Sequence, residues 1–267
     1  MFKHILVAVD FSPAWPLVKQ RLEKLTAWGT EHITLVYVLS TRYPVTPEET
    51  HRAHYESRLA ELASELATPG LKVDSQVRVG EPGAVLAEAA RELTADLLLM
   101  GCRGYSRIQE FFLGSTALDA ARLTQCPLWL EPIIPSPAKP NSELLMLATD
   151  GSAAVASAEA MTATLSPRYK RTLAVTATCA SEGCDREIAD ARQHLHTLIE
   201  RLDGLETKVL DGDPRHAIVT EAKKQSADLI VIGKRGRNRI HEFLLGSTAE
   251  TIARDAHCPV LIVPSKP

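Results

Sequence analysis

This sequence predicts an α/β fold, built as two tandem doubly wound three-layer domains with a five-stranded parallel sheet in each. Three observations carry that expectation. The second half of the chain repeats the first, short apolar runs alternate with longer stretches of helical periodicity, and glycine, proline and small polar residues punctuate the junctions.

The repeat is plainest near the end of each half. Gly101-Cys102-Arg103-Gly104 continues to Phe111-Phe112-Leu113-Gly114-Ser115-Thr116-Ala117, and Gly233-Lys234-Arg235-Gly236 continues to Phe243-Leu244-Leu245-Gly246-Ser247-Thr248-Ala249. The offset of 132 (233 − 101) holds as far as Pro132 and Pro264, with about half the positions identical. At the start of each half, Ile5 to Asp10 matches Leu145 to Asp150 at an offset of 140 (150 − 10). The first half therefore carries eight extra residues upstream of Gly101, expected at Thr41 to Thr50, where Pro44 and Pro47 argue for a loop. Pro132, Pro135, Pro137 and Pro140 mark a stiff linker. The expected organisation is a first domain over 1–134, a linker over 135–142 and a second domain over 143–267.

In the first half, the apolar run Ile5–Val9 reads as a buried strand. Leu17–Trp28 reads as a helix, because Val18, Leu22 and Leu25 share one face. Ile33–Leu39 is rich in β-branched and aromatic residues and reads as a strand. Glu48–Leu66 is a long helix with Leu59, Leu62 and Leu66 on one side, and the alternation of Leu71–Val79 marks a third strand. Pro82 opens a helix to Leu93, since proline suits a first turn. Strand Leu97–Met100, helix Ser115–Leu123 and strand Leu128–Leu130 complete the half. The second half repeats the order with strands at Leu144–Ala148, Thr172–Ala177, Glu206–Leu210, Leu229–Ile232 and Val260–Val263. Its helices are expected at Ala153–Leu165, Glu187–Leu202, Pro214–Lys224 and Ser247–Asp255. Strands alternating with helices form a parallel sheet covered on both faces by right-handed crossovers. Such sheets bind ligands beyond the carboxyl ends of their strands, where strand order reverses.

Composition narrows the function. The chain has 267 residues, a formal net charge of −3 and a pI near 6.3, so no broad basic field favours nucleic acid. The run Ile5–Val9 is too short for a signal-peptide core or a membrane span, so no membrane partner is expected. Five cysteines without disulfide-scaffold spacing point to a reducing cytoplasm.

Each half places G-x2-G-x9-G-[ST] directly after a buried strand and before a helix. Glycines let backbone amides approach a phosphate, and the following helix offers unpaired amides at the positive end of its dipole. Ser115, Thr116, Ser247 and Thr248 sit where a hydroxyl bonds a phosphate oxygen or caps the helix. Asp10 and Asp150 end the first strand of each half, where a carboxylate meets ribose hydroxyls, helps hold a metal ion, or simply caps a turn. One isolated glycine pair is more often a turn than a ligand loop. Two copies in the same strand–loop–helix context, each with its aspartate, favour the ligand.

These residues resemble the universal stress protein family, in its tandem-domain form, and the likeness runs over nearly the whole chain. It rests on Gly101, Gly104, Gly114 and Ser115, and on Gly233, Gly236, Gly246 and Ser247. The resemblance implies a Rossmann-like fold of the adenine nucleotide alpha hydrolase-like kind. It also implies an ATP pocket, with ADP or AMP as alternatives and Mg as an accompanying ion. The glycine loop and serine take the phosphates, Asp10 or Asp150 lies by the nucleoside, and the end of the second strand, near Val38 and Thr176, lines the adenine. It implies a stress-response regulator that acts by binding, an unknown protein partner, and a pairing of the two halves through their last strands, Leu128–Leu130 and Val260–Val263, with further self-association left open. The family commonly has Asp-Gly-Ser after the first strand. The second half keeps it as Asp150-Gly151-Ser152, whereas the first has Asp10-Phe11-Ser12, so the second site is the safer one. Phe11 either crowds the first pocket or packs outside it.

No G-x4-G-K-[ST] loop and no nucleophile–base–acid set is legible, so a fast enzyme is not expected. Slow ATP hydrolysis or autophosphorylation on Ser115 or Ser247 is one alternative, and a scaffold with vestigial pockets is another. Arg103, Arg107, Arg235 and Arg239 are matched between the halves and read equally as phosphate ligands, contacts to the partner domain or solvated charges. Lys234 reads as solvated or as added pocket charge, and Cys102 as a passive small residue in preference to an oxidation-sensing thiol in the phosphate loop. Cys126 and Cys258 before the last strands read as packing. Cys179, Cys184, His194 and His196 fit no metal spacing, and His51–Arg58 reads as a solvated helix face.

Overall fold

The computed structural model describes residues 1–13, 15–41, 49–102, 113–132, 143–178, 185–236 and 244–265. The chain divides into two compact units, Met1–Ile133 and Ile134–Pro267. No described helix is long and apolar enough to cross a membrane.

The first unit runs β1 (His4–Ala8), α1 (Trp15–Ala27), β2 (His32–Ser40), α2 (Glu49–Leu66), β3 (Lys72–Gly80), α3 (Pro82–Glu92), β4 (Leu97–Gly101), α4 (Ser115–Leu123) and β5 (Leu128–Glu131). Its strands pair in parallel in the order β3-β2-β1-β4-β5. The second unit runs β6 (Leu144–Ala148), α5 (Ala156–Leu165), β7 (Arg171–Thr178), α6 (Asp185–Arg201), β8 (Leu205–Asp211), α7 (Pro214–Gln225), β9 (Leu229–Gly233), α8 (Ser247–Asp255) and β10 (Val260–Val263). Its order, β8-β7-β6-β9-β10, repeats that of the first.

The central strands are buried on both faces, which is why they read as continuous apolar runs. Ile5, Leu6 and Val7 of β1 and Leu97, Leu98 and Leu99 of β4 are wholly buried, as are Leu144 to Leu147 of β6. The edge strands β3 and β8 instead alternate and carry Lys72, Asp74, Arg78, Glu206 and Lys208, charges that discourage pairing with another chain. Helix α1 buries Val18, Leu22 and Leu25, the face its periodicity marks. In α7, Asp213 caps the first turn through its side chain onto the Arg215 amide, and Pro214 takes the first helical position.

Two local differences from the sequence expectation have physical causes. The helix expected from Ala153 begins as a 3₁₀ turn over Ala153–Val155, closed by the Val155 amide on the Ser152 carbonyl, and becomes α-helical only at Ala156. The extra length of the first half is also divided. Residue His32 of β2 pairs with Lys72, 40 residues on (72 − 32), while Thr172 of β7 pairs with Leu205, 33 on (205 − 172). Seven extra residues therefore lie between these strands. His4 pairs with His32, 28 on, and Leu144 with Arg171, 27 on, which puts the eighth between the first two strands. Most of the segment named for the insertion, residues 42–48, lies outside the described residues, as does the whole linker, 135–142.

In the first unit, Glu131 on β5 is buried and accepts Nε of Arg21 from α1 at 2.9 Å and Nε1 of Trp129 at 3.0 Å. The Arg21 guanidinium also lies 5.1 Å from the Trp129 ring centre. This cluster ties α1 to the sheet.

Candidate functional site

Strand order reverses between β1 and β4 in the first unit and between β6 and β9 in the second. At the carboxyl end of the second reversal lies a cavity of about 360 Å³, within the range of small-molecule sites. Asp150, Gly233, Gly236, Gly246, Ser247 and Thr248 all line it, so the residues read from the repeated motif converge there.

The glycine loop closes by a hydrogen bond from the Gly246 amide to the Lys234 carbonyl, 2.9 Å. Gly246 is the N-cap of α8, and being glycine it supplies no capping side chain. Ser247 is thus the first helical residue and not the cap, and the amides of the first turn have no partner within the helix. The glycines are required by close approach. A Cβ on Gly236 would stand 2.4 Å from Oδ2 of Asp150, and one on Gly233 2.9 Å from Val155. Asp150 therefore touches the glycine loop. Its other oxygen, Oδ1, accepts the Ser152 amide at 2.9 Å, which folds the turn after β6. Gly151 within that turn has φ +70°, the left-handed region that glycine adopts without strain.

Arg235 lines the cavity, and among the described residues its Nε is buried without a hydrogen-bond partner. A buried donor left unpaired is costly, so a ligand acceptor there is favoured. Lys234 is 6% exposed and does not line the cavity, which corrects its reading as a solvated or pocket-facing charge. The loop turns its side chain inward, as Cys102 is turned inward at the matching place, 7% exposed.

Thr176 also requires correction as a lining residue. Its hydroxyl donates to the Thr149 carbonyl at 2.9 Å and is buried, whereas Ala177, one residue on, lines the cavity. Side chains alternate along a strand, so a shift of one residue exchanges faces. Val155 after the turn, and Pro214 and Ile218 of α7, add an apolar wall. Sequence reasoning missed this wall because its members read as ordinary core positions.

The first unit places the matching residues in the same frame. Gly101 ends β4, Gly114 caps α4 and donates its amide to Cys102 O at 3.0 Å, and Ser115 and Thr116 open α4. Asp10 Oδ1 accepts the Ser12 amide at 2.9 Å, as in the second unit, and Val38 stands at the end of β2 in the register of Ala177. Gly104, Arg103 and Arg107 lie outside the described residues, as do Arg239, Phe111, Phe112, Phe243, Cys179 and Cys184.

Phe11 adopts φ +54°, where the second unit has Gly151. Its ring lies 5.1 Å from that of Tyr37 and 5.8 Å from that of Tyr55 on α2, with the Arg58 guanidinium 4.0 Å from its centre. The ring thus packs on α2. Tyr55 and Arg58 are half-buried for this reason, while His51, His54 and Glu56 of the same helix are exposed. Burial, then the hydrogen bond to Tyr55, pushes the Tyr37 phenol well above its ordinary range.

Among the described residues no group of three His, Cys, Asp or Glu side chains could hold a metal ion. His194 pairs with Glu159 and His196 with Glu200. Burial raises the Cys126 thiol above its ordinary range, and Cys258 is buried, as packing residues are.

Residues 1–131 and 144–264 each match the universal stress protein family. A universal stress protein of Methanocaldococcus jannaschii is 48% identical over 59 residues, covering 22% of this chain and 35% of its own length. One from Mycobacterium tuberculosis is 31% identical over 139 residues, 47% of either chain. The chain therefore spans less than half the length of these curated relatives. The crystal structure of a universal stress protein from Archaeoglobus fulgidus superposes over 100% of both chains with a TM-score of 0.80 at 19% identity, a likeness of fold.

Proposed function

The chain belongs to the universal stress protein family, and from that premise we propose that its second unit binds an adenine nucleotide, ATP in the first instance, and that the protein acts as a stress-response regulator through that binding. The observation that carries the reading is the cavity at the β6/β9 reversal, where the glycine loop, the head of α8 and Asp150 meet. The donors suit phosphate: first-turn amides of α8, the hydroxyls of Ser247 and Thr248, and the unpaired Nε of Arg235. Gly236 and Gly246 keep open the space that a Cβ would fill. The apolar wall of Val155, Ala177, Pro214 and Ile218 suits a base. Asp150 is the one carboxylate among the described lining residues, so Mg would be held mainly by the phosphates.

Charge on the ligand is met here by fixed donors, the first-turn amides, two hydroxyls and Arg235. The reading is therefore of a ligand that is held and sensed. Preferential binding to one conformation would shift a partner-binding state. The test is thermal unfolding with and without ATP. Ligand at about 100 times its dissociation constant adds about 2.7 kcal/mol per occupied site. That is a rise of several degrees for a unit of this size. The second unit's share of that rise should vanish in Gly246→Val. No rise with millimolar ATP, on protein freed of retained nucleotide, would remove the reading.

A further inference from the structure

Behind the Asp150 turn, on the α5 and α6 side of the sheet, lies a polar chain that the glycine motif does not include. Oε1 of Glu159, a side chain 7% exposed on α5, accepts two hydrogen bonds at 2.7 Å, from the Thr149 hydroxyl and from Nε2 of His194 on α6. Thr149 is buried, and its Oγ1 accepts the Gly151 amide at 3.2 Å. The His194 ring seats against the same turn, since a Cβ on Gly151 would stand 2.8 Å from its Cγ. The turn that aims Asp150 at Gly236 is thus gripped from behind by a hydroxyl just after β6, a carboxylate on α5 and an imidazole on α6.

At the offset of 140, the first unit has Val9 for Thr149, Phe11 for Gly151 and Lys19 for Glu159. Lys19 pairs instead with Glu65 on an exposed surface, and the Phe11 ring packs on α2. There the Phe11 ring, packed on Tyr37 and Tyr55 with Arg58 over its face, stands in place of the polar chain. A buried polar chain costs more to assemble than an apolar one and persists only when fully satisfied.

We propose that Thr149, Glu159 and His194 are positioning residues of the nucleotide site in the second unit, holding the Asp150 carboxylate in the place where it meets the ligand. This rests on the nucleotide reading above and extends it to residues outside the cavity lining, Glu159 and His194. Removing the Thr149 hydroxyl frees the Gly151 amide and lets the turn rotate. The affinity then falls by the equivalent of one ordinary hydrogen bond, about tenfold.

The experiment titrates ATP calorimetrically into the full chain and into Thr149→Val, Thr149→Ser and His194→Phe, subtracting the residual binding of Gly246→Val. Valine occupies the matching place in the first unit, and phenylalanine keeps a ring against Gly151, so both substitutions suit the fold. The expected result is about tenfold weaker binding in Thr149→Val and His194→Phe and recovery to within about threefold of the parent in Thr149→Ser. Recovery by serine separates positioning from packing, since serine restores the hydroxyl and not the methyl. Parent-like affinity in Thr149→Val and His194→Phe, or a Thr149→Ser chain as weak as Thr149→Val, would overturn the proposal while leaving the nucleotide reading intact. Absence of saturable binding in the parent would overturn both. Should Thr149→Val fail to fold, His194→Phe decides alone.

Discussion

Gly236→Ala isolates the contact between the glycine loop and the aspartate turn. The added Cβ would stand 2.4 Å from Asp150 Oδ2 and 3.4 Å from its Cγ. Carbon and oxygen approach to about 3.3 Å, so the carboxylate must retreat by about 1 Å. It cannot do so freely, because Oδ1 is tied to the Ser152 amide at 2.9 Å. A hydrogen bond to a charged acceptor is worth about 1.5–3 kcal/mol when lost without replacement. Asp150 is half-exposed, and water replaces part of that bond in the ligand-free protein. The expected loss of stability is therefore modest, about 1 kcal/mol, or a few degrees in melting temperature. The loss of ATP affinity should be larger, about tenfold or more, because the misplaced carboxylate no longer meets the ligand. Calorimetric titration gives the affinity and thermal unfolding the stability. A Gly236→Ala chain that binds ATP like the parent would refute the placement of Asp150 against this loop.

Three further outcomes test other parts of the structure. Glu131→Ala leaves Arg21 and Trp129 without their shared acceptor at a buried site, and should lower stability by about 3–5 kcal/mol in urea unfolding, with Glu131→Gln milder. At Phe11 the usual order of small residues should invert: Phe11→Gly relieves φ +54° and should be more stable than Phe11→Ala by about 1 kcal/mol, although both lose the ring contacts. His4 is held below its ordinary range by burial and by the stacked His32, and His257 by burial and by Lys223. The folded state thus takes up both protons at lower pH than the unfolded chain, whose histidines titrate around 6.5. Stability should fall as pH drops from about 7 toward the lowered folded values, and His4→Gln should flatten that slope in melting-temperature measurements.

The strand positions were legible because doubly covered strands must be apolar on both faces, and the runs around Leu6, Leu98, Met146 and Val231 satisfy that over their whole length. The glycine loop was legible because it occurs twice in one context, and the second unit brings its six predicted residues to one cavity. Other features depend on which residues meet across elements, and no single segment records that. Thr176 and Ala177 differ only in strand parity, which register decides. Lys234 is buried against the expectation for a charged side chain, and nothing within its own segment marks it. The pairing of Glu159 with His194 joins two helices through residues 35 apart in the chain, and neither residue stands out within its own amphipathic pattern. Phe11 stands out in the sequence as a departure, but its packing on α2 depends on Tyr37 and Tyr55, which the linear pattern does not connect to it.

Equilibrium dialysis of labelled ATP against the nucleotide-stripped chain, in parallel with Gly246→Val, decides whether the second unit holds a nucleotide. A Cβ at Gly246 would already stand 3.3 Å from the Lys234 carbonyl, so valine should disturb the head of α8 where the phosphates are expected. The parent should bind saturably, and the variant should lose the second unit's share. No saturable binding up to millimolar ATP, or equal binding by both chains, would contradict the nucleotide reading.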